Sequence, residues 1–166
     1  MPAAAELRAL APAPDALLMS IVDDTRAGGL VRSRAVAALR LLPSPAVQGF
    51  LGKLVAAKAR AKDATDRLIV RRAAVALGWM AAPNAAAQLA TLFANDDAEV
   101  RLDAAIGLGL TRTEDAAVIL NRQLAVETDA RVRDQIQRQL HALGPLTPKP
   151  EKPPAPTKKP PMRSSF

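Results

Sequence analysis

The sequence contains no cysteine, no tyrosine, one tryptophan and a single histidine among its 166 residues. Without cysteine, disulfides, zinc–thiolate sites and thiol catalysis are excluded. A metal site built on histidines is nearly excluded as well, because His141 has no second histidine to join it and the carboxylates do not follow a metal-loop spacing. Neither a glycine-rich phosphate loop nor a Ser/His/Asp set is present. We therefore expect a protein that is not an enzyme and needs no cofactor.

Long apolar runs are also missing. No stretch approaches the length of a membrane-spanning helix. The N-terminal segment, residues 1–14, lacks the basic region followed by an apolar core that marks a signal peptide. These observations predict a cytoplasmic protein that does not associate with membranes.

Alanine dominates the apolar residues that are present. Hydrophobic residues make up 49% of the chain, but aromatic residues only 2%. Alanine is the best helix former and a poor strand former. The composition therefore predicts an all-α protein whose helices pack closely through small side chains.

The net charge of +7 is unevenly distributed. Residues 145–166 carry five basic residues and one acidic residue, whereas residues 15–144 carry 17 basic and 14 acidic residues. Because more than half of the excess lies in the last 22 residues, the isoelectric point is a weak argument for nucleic-acid binding.

Four segments of the sequence align without internal gaps. Their first residues, Val31, Ile69, Val100 and Val132, are 38, 31 and 32 residues apart, and each is followed eight positions later by a leucine. A small or apolar residue follows each first residue after four positions. The spacing i, i+4, i+8 forms one stripe of an α-helix. A second helical stretch precedes each segment, at 16–22, 47–59, 85–94 and 116–126. The pattern predicts four helical hairpins.

Proline-rich and polar breakers separate the hairpins and define the predicted organisation. Residues 15–144 form the repeat domain, with repeats at about 15–42, 45–81, 84–111 and 114–144. Residues 1–14 form an N-terminal segment whose short helix, 3–10, either covers the apolar first hairpin or leaves that hairpin to a partner or a second copy. Residues 145–166 contain eight prolines and are expected to be a disordered tail, which acts either as a linker or as a docking peptide.

An aspartate recurs three residues before the first position of three repeats, as Asp66, Asp97 and Asp129. An aspartate there can cap the second helix of the hairpin and favours the positive end of its dipole. In two repeats an arginine follows four residues later, which predicts the ion pairs Asp97–Arg101 and Asp129–Arg133 and a ladder between stacked repeats.

The pattern D-x-x-V-R-x-x-A-x-x-x-L resembles the HEAT-like repeat family, including its short bacterial forms related to phycobilisome-lyase-type repeats. The resemblance covers about residues 15–144, and its departures include Gly28 in place of the aspartate and Val70 in place of the arginine. It implies a right-handed α-solenoid whose second helices line a concave binding face. The family contains scaffolds, adaptors, nucleic-acid binders and a few enzymes, so the resemblance implies little about function.

Two glycines in the third repeat, Gly107 and Gly109, are unfavourable in an exposed helix. They indicate close packing of helix backbones, although ordinary tolerance is the simpler alternative. The last helix has one narrow apolar stripe among polar residues, as expected of a helix that ends the stack.

Two groups of basic residues are candidate binding surfaces. Arginines of the second helices are expected to form a basic rib on the concave face. The alternative for Arg101 and Arg133 is a local pair with the aspartate four residues earlier, whereas the other four arginines have fewer obvious partners: Arg32, Arg34, Arg71 and Arg72. The insertion in the second repeat supplies a second patch: Lys53, Lys58, Arg60, Lys62 and Arg67. Such a patch suits phosphates or an acidic protein surface, and the alternative is a solvated helix face.

The single tryptophan, Trp79, ends the second repeat. A lone tryptophan in an alanine-rich chain favours a core position between repeats, and the alternative is an exposed anchor for a partner. Taken together, the sequence predicts a scaffold or adaptor that binds a partner protein, as a monomer or in a partner-dependent assembly. The alternatives are a nucleic-acid binder using the basic patch and an accessory protein related to the lyase-type repeats.

Overall fold

A computed structural model of the chain describes residues 4–144, and this part is helical, without a strand. The predicted tail, residues 145–166, lies outside the described residues. The helices are α1 (Ala4–Leu10), α2 (Pro14–Asp23), α3 (Gly29–Leu39), α4 (Pro45–Ala57), α5 (Ala64–Trp79), α6 (Ala85–Ala90), α7 (Ala98–Thr111), α8 (Glu114–Val126) and α9 (Ala130–Leu143). A short 3₁₀ segment, Thr91–Ala94, extends α6.

The helices of the four predicted hairpins are all present, and their contacts fall into two series. The second helices pack one on the next, α3 on α5, α5 on α7 and α7 on α9. The first helices do the same, α2 on α4, α4 on α6 and α6 on α8. Each first helix also contacts its own second helix, so the buried core is continuous along residues 22–136.

The repeat stripe forms this core in three of the four hairpins. Ile69, Val100 and Val132 are fully buried, as predicted. The prediction is wrong for Val31, which is 53% exposed. Val31 lies in the first turn of α3, and the buried part of the stripe begins one turn later at Ala35.

Two of the three predicted aspartate caps are confirmed. Asp97 accepts a hydrogen bond from the Glu99 amide at 2.8 Å, and Asp129 accepts one from the Arg131 amide at 2.9 Å. The predicted cap at Asp66 is wrong, because α5 begins three residues earlier than the repeat pattern indicates. Asp63 caps α5 instead by accepting from two backbone amides of the first turn.

Close packing of helix backbones is confirmed at Gly107. A Cβ atom placed on this glycine would lie 2.6 Å from the carbonyl oxygen of Ala74 on α5. The same approach involves Gly78, where a Cβ atom would overlap the Gly107 carbonyl group. Gly109 differs, because a Cβ atom there would meet only the side chain of Gln139. Helices α5 and α7 therefore touch through backbone at one point, and no side chain fits between them there.

The two ends of the helical array differ. At the C-terminal end, α9 buries Val132 and Ile136, and the polar Gln135 is buried beside them, while most of its other side chains face water, as predicted for a last helix. Gly144 ends α9 with φ 62° and donates its amide to the carbonyls of Leu140 and His141. At the N-terminal end, α1 packs on α2 and buries Leu7. Leu17 of α2 nevertheless stays 51% exposed, so the helix covers α2 only in part.

Candidate interaction surface between α3 and α5

In three of the four repeats, the arginine that follows the first stripe position connects the second helix to the end of the helix before it. Arg32 donates from Nε to the Val22 carbonyl at 2.8 Å. Arg101 donates from Nη1 to the carbonyls that follow the 3₁₀ segment, and Arg133 donates from Nη1 to carbonyls at the end of α8, all at 3.0 Å. Carbonyls at the end of a helix lack a partner within that helix, so these guanidinium groups satisfy them.

The second repeat, which has Val70 in place of this arginine, achieves the same contact from another position. Arg67 donates from Nε to the Ala61 carbonyl at 3.2 Å, and its Nη1 lies 3.0 Å from a carboxylate oxygen of Asp97. Of the residues predicted to bind a partner, Arg32 and Arg67 are thus held by contacts within the protein.

The predicted ion pairs Asp97–Arg101 and Asp129–Arg133 are wrong, because both guanidinium groups turn toward the preceding loop. Arg101 pairs instead with Glu127, with Nε and Nη2 at 2.9 and 2.8 Å from its two carboxylate oxygens. The repeats are therefore linked by the pairs Arg67–Asp97 and Arg101–Glu127, and not by the pairs that the pattern predicts.

Glu127 is a buried carboxylate that sequence reasoning missed. Its side chain is 2% exposed, and it accepts further hydrogen bonds from the Gln123 side chain and from the Thr128 and Asp129 amides. Burial raises its pKa, but the hydrogen bonds from Arg101, the Asp129 amide and Gln123 outweigh burial and lower the pKa to about 2. A single glutamate before a capping aspartate is the only sequence signal for this site, and its main partner is 26 residues away.

Arg71, a third predicted binding residue, also has internal partners. Its Nε lies 2.6 Å from Asp103 and its Nη2 lies 3.0 Å from Glu99, both on α7. Burial raises the pKa of Asp103, and the hydrogen bond from Arg71 opposes that rise. Arg131 of α9 contacts the other oxygen of Glu99 at 2.7 Å, which extends the network across three helices.

The predicted basic patch of the insertion is divided by ion pairs. Lys58 binds the Asp66 carboxylate and Arg67 binds Asp97. The other three members, Lys53, Arg60 and Lys62, are exposed and form no hydrogen bond or ion pair with residues 4–144.

The predicted core position of Trp79 is wrong, because its side chain is 59% exposed. The backbone contact between Gly78 and Gly107 brings α5 and α7 too close for a large ring to lie between them. The ring faces α3 instead, where the guanidinium carbon of Arg40 lies 5.2 Å from the ring centroid. This distance is within the range of a cation–π interaction.

A depression lies between α3 and α5 next to this pair. It has a volume of about 200 Å³ and is lined by Ala37, Arg40, Arg72, Val75 and Ala76. We call these five residues, with Trp79 at one end, the α3–α5 groove. Arg34 lies one helical turn before Ala37 on the exposed side of α3. Neither Arg34 nor Arg72 makes a hydrogen bond or an ion pair within the described part of the chain, although Arg72 is near enough to Asp103 to influence it.

The segment that carries the groove is the basic part of the molecule. Residues 29–79 contain ten arginines and lysines but only two aspartates, whereas residues 80–144 contain six basic and nine acidic residues. The mild overall charge of the repeat domain therefore conceals two regions of opposite sign.

A larger cleft of about 520 Å³ lies at the end of α8, between Phe93 and Val126. Its charged floor is the Arg101–Glu127 pair, whose atoms already have partners. Residues 4–144 hold no group of three potential metal ligands, and none of their helices is long and apolar enough to cross a membrane.

Comparison of the chain with protein-family models, with curated proteins and with solved structures finds no match.

Proposed function

We propose that this chain is a non-catalytic adaptor of the HEAT-like class that holds a partner protein on the exposed side of α3 and α5. The single observation that carries the proposal is the 59% exposure of Trp79, the one tryptophan in the sequence. Tryptophan and arginine are the residues most enriched among those that dominate protein–protein binding energy. A ring that is left in water beside Arg40 has the composition of such an anchor.

The distribution of arginine contacts supports the same surface. Arg32, Arg67 and Arg71 bind carbonyls or carboxylates within the protein. Arg34 and Arg72 make no such bonds within residues 4–144, and Arg72 lines the groove while Arg34 lies one turn before Ala37 on α3. Charged groups that face water without a partner can steer an oppositely charged protein to its site.

The helix contacts support a solenoid as the shape of the adaptor, and the right-handed sense of the proposed solenoid comes from the resemblance to HEAT-like repeats. Consecutive second helices pack on one another, and consecutive first helices do so in a separate series. Stacked hairpins of a solenoid make these contacts. In the proposal, the second helices line the concave side, and the complex forms in the cytoplasm.

Affinity capture with the full chain tests the proposal. We expect the wild-type chain to retain a protein in stoichiometric amount after nuclease treatment, and the Trp79→Ala variant to lose it. Val118→Ala is the matched control, because Val118 is also exposed, at 48%, but lies on α8. Retention that is unchanged in Trp79→Ala, or the absence of any stoichiometric protein, contradicts the proposal. Retention that disappears with nuclease favours nucleic acid, bound by exposed residues such as Lys53 and Lys62.

A further inference from the structure

The dimensions of the α3–α5 groove restrict what it can hold. Its volume of about 200 Å³ is below the roughly 300–1,000 Å³ of typical small-molecule sites. A depression of this size accepts one side chain of a macromolecule better than it accepts a whole metabolite. The Ala37, Val75 and Ala76 side chains make the lining between the two arginines apolar. An apolar side chain therefore suits the centre of the groove.

A cation from each of two elements lies beside this apolar lining. Arg40 directly follows α3 and Arg72 belongs to α5, so a segment lying in the groove meets two guanidinium groups. Trp79 packs against Arg40 and restricts its position before a ligand arrives. A guanidinium group presents several donors in a fixed plane and matches the two oxygens of a carboxylate.

We propose that the α3–α5 groove binds an acidic segment of the partner protein, with one apolar side chain seated over Ala37 and Val75 and carboxylates on either side bound by Arg40 and Arg72. This inference rests on the proposed adaptor function and adds the chemistry of the segment that is recognised. Residues 29–79 contain ten basic and two acidic residues, and this positive charge complements an acidic segment.

The acidic neighbour of the groove distinguishes a short acidic segment from a nucleic acid. Helix α7 packs directly on α5 and places Glu99 and Asp103 beside Arg71. A nucleic acid that continued along the second helices would meet these carboxylates. Its binding needs a continuous run of cations along the backbone. A segment with acidic groups at two points needs only the two arginines of the groove.

The chain's own C-terminal residues are unsuited to the groove. Residues 145–166 contain five basic residues and one acidic residue, so like charges would face Arg40 and Arg72. The occupant is therefore a segment of another protein whose charge is opposite to that of this tail.

A display library of random twelve-residue peptides, selected on the full-length chain, tests the inference. We expect selected peptides to contain aspartates or glutamates on both sides of an apolar residue. Binding of the most enriched synthetic peptide is then measured by calorimetry in every protein, and also through Trp79 fluorescence in the proteins that retain this single tryptophan. The variants are Arg72→Glu and Trp79→Ala, with Arg122→Glu as the matched charge reversal on an exposed part of α8. Circular dichroism confirms that each variant is folded.

Affinity should fall at least about tenfold in Arg72→Glu and Trp79→Ala, and less than about twofold in Arg122→Glu, so the groove variants and the control should differ by at least about fivefold. Replacing the central apolar residue of the peptide by serine should weaken binding similarly. No enrichment, enrichment without acidic residues, or equal effects in all three variants overturns the inference. If the three variants weaken binding equally while the wild type binds a peptide tightly, the adaptor function stands, but the peptide binds outside the α3–α5 groove. A single-stranded DNA probe that binds while no peptide does would overturn both proposals.

Discussion

Arg101 and Glu127 form a two-point ion pair whose side chains are 13% and 2% exposed. The pair joins α7 to the loop after α8, and Arg101 also holds the carbonyls of Asn95 and Asp96. Because both charges are largely removed from water, the loss of either partner leaves the other uncompensated. The pair therefore fixes how the third and fourth hairpins fit together.

Replacing Glu127 with glutamine should lower the free energy of unfolding by about 3 kcal/mol, the lower part of the range for breaking a buried pair. Urea unfolding measures the change. Arg26→Gln is the control, because Arg26 pairs with Asp24 while its side chain is 91% exposed. An exposed pair of this kind contributes at most about 1 kcal/mol. Similar effects for the two variants would show that burial does not strengthen the dependence on Glu127.

The same carboxylate makes stability depend on pH in the acidic range. Folding lowers the pKa of Glu127 from 4.5 to about 2, so the unfolded chain binds a proton more readily. The contribution of Glu127 is therefore fully present above about pH 5 and decreases as the pH falls toward 2. The pKa change corresponds to about 3 kcal/mol.

Urea midpoints recorded from pH 6 to pH 2.5 in the wild type and in Glu127→Gln isolate this contribution. The two proteins should differ most near pH 6, and the difference should shrink at the acidic end. Exposed carboxylates titrate in both proteins and cancel in the comparison. A difference that is constant over this range contradicts the assignment.

The backbone contact between α5 and α7 predicts opposite effects for alanine substitutions at different glycines. Gly107→Ala places a methyl group against the Ala74 carbonyl, and we expect a loss of about 1–3 kcal/mol from overpacking. Gly49 lies within α4 with no atom near its added Cβ, so Gly49→Ala should stabilise the protein by about 0.5–1 kcal/mol.

Gly109→Ala should change the stability by an amount between those of the other two variants. It controls for the effect of adding a methyl group to α7 away from the backbone contact. The three atoms nearest to its added methyl group all belong to the flexible Gln139 side chain, which can move aside. We expect a change close to zero, since helix propensity and the displacement of Gln139 oppose each other. Thermal unfolding ranks the stabilities of the three variants, and we expect Gly49→Ala to be the most stable and Gly107→Ala the least stable. If Gly107→Ala matched Gly49→Ala, α5 and α7 would not touch through backbone.

The sequence predicted the parts of this fold that depend on local periodicity. The helices, the buried stripe from Ile69 onward and the caps Asp97 and Asp129 follow from spacing and residue type. The cap of α5 was misplaced because the insertion shifts the helix start from the repeat pattern. Some arginines bind carbonyls and others face water. This difference depends on contacts between helices, and the spacing of residues within one helix does not predict it.

Trp79 shows the same limit at the proposed site. Its hydrophobicity favoured the core, but the glycine contact beside it excludes a large side chain from the α5–α7 interface. The pairing of Trp79 with Arg40 could not be predicted, because these residues belong to different repeats and neither occupies the repeated stripe.

The capping difference between Asp63 and Asp66 is directly measurable. Asp63→Ala removes the acceptor for two amides at the start of α5 and should lower the free energy of unfolding by about 1 kcal/mol. Asp66→Ala removes the partly exposed ion pair with Lys58 and a negative charge from the first turn of α5, for which we expect about 0.5 kcal/mol in all. Chemical unfolding of both variants is the test, with Lys58→Met as the control for the ion pair. A larger effect at Asp66 would restore it as the cap.

The exposure of Trp79 separates its proposed role in binding from a role in stability. Trp79→Ala should change the free energy of unfolding by less than about 1 kcal/mol, because the ring is largely in water and loses mainly its contact with Arg40. Leu77→Ala, two residues earlier and fully buried, should lose about 2–5 kcal/mol. Unfolding followed by circular dichroism measures both, since the first variant has no tryptophan signal. A loss in Trp79→Ala as large as that in Leu77→Ala would mean that the ring supports the fold, and lost partner binding in that variant would then reflect instability.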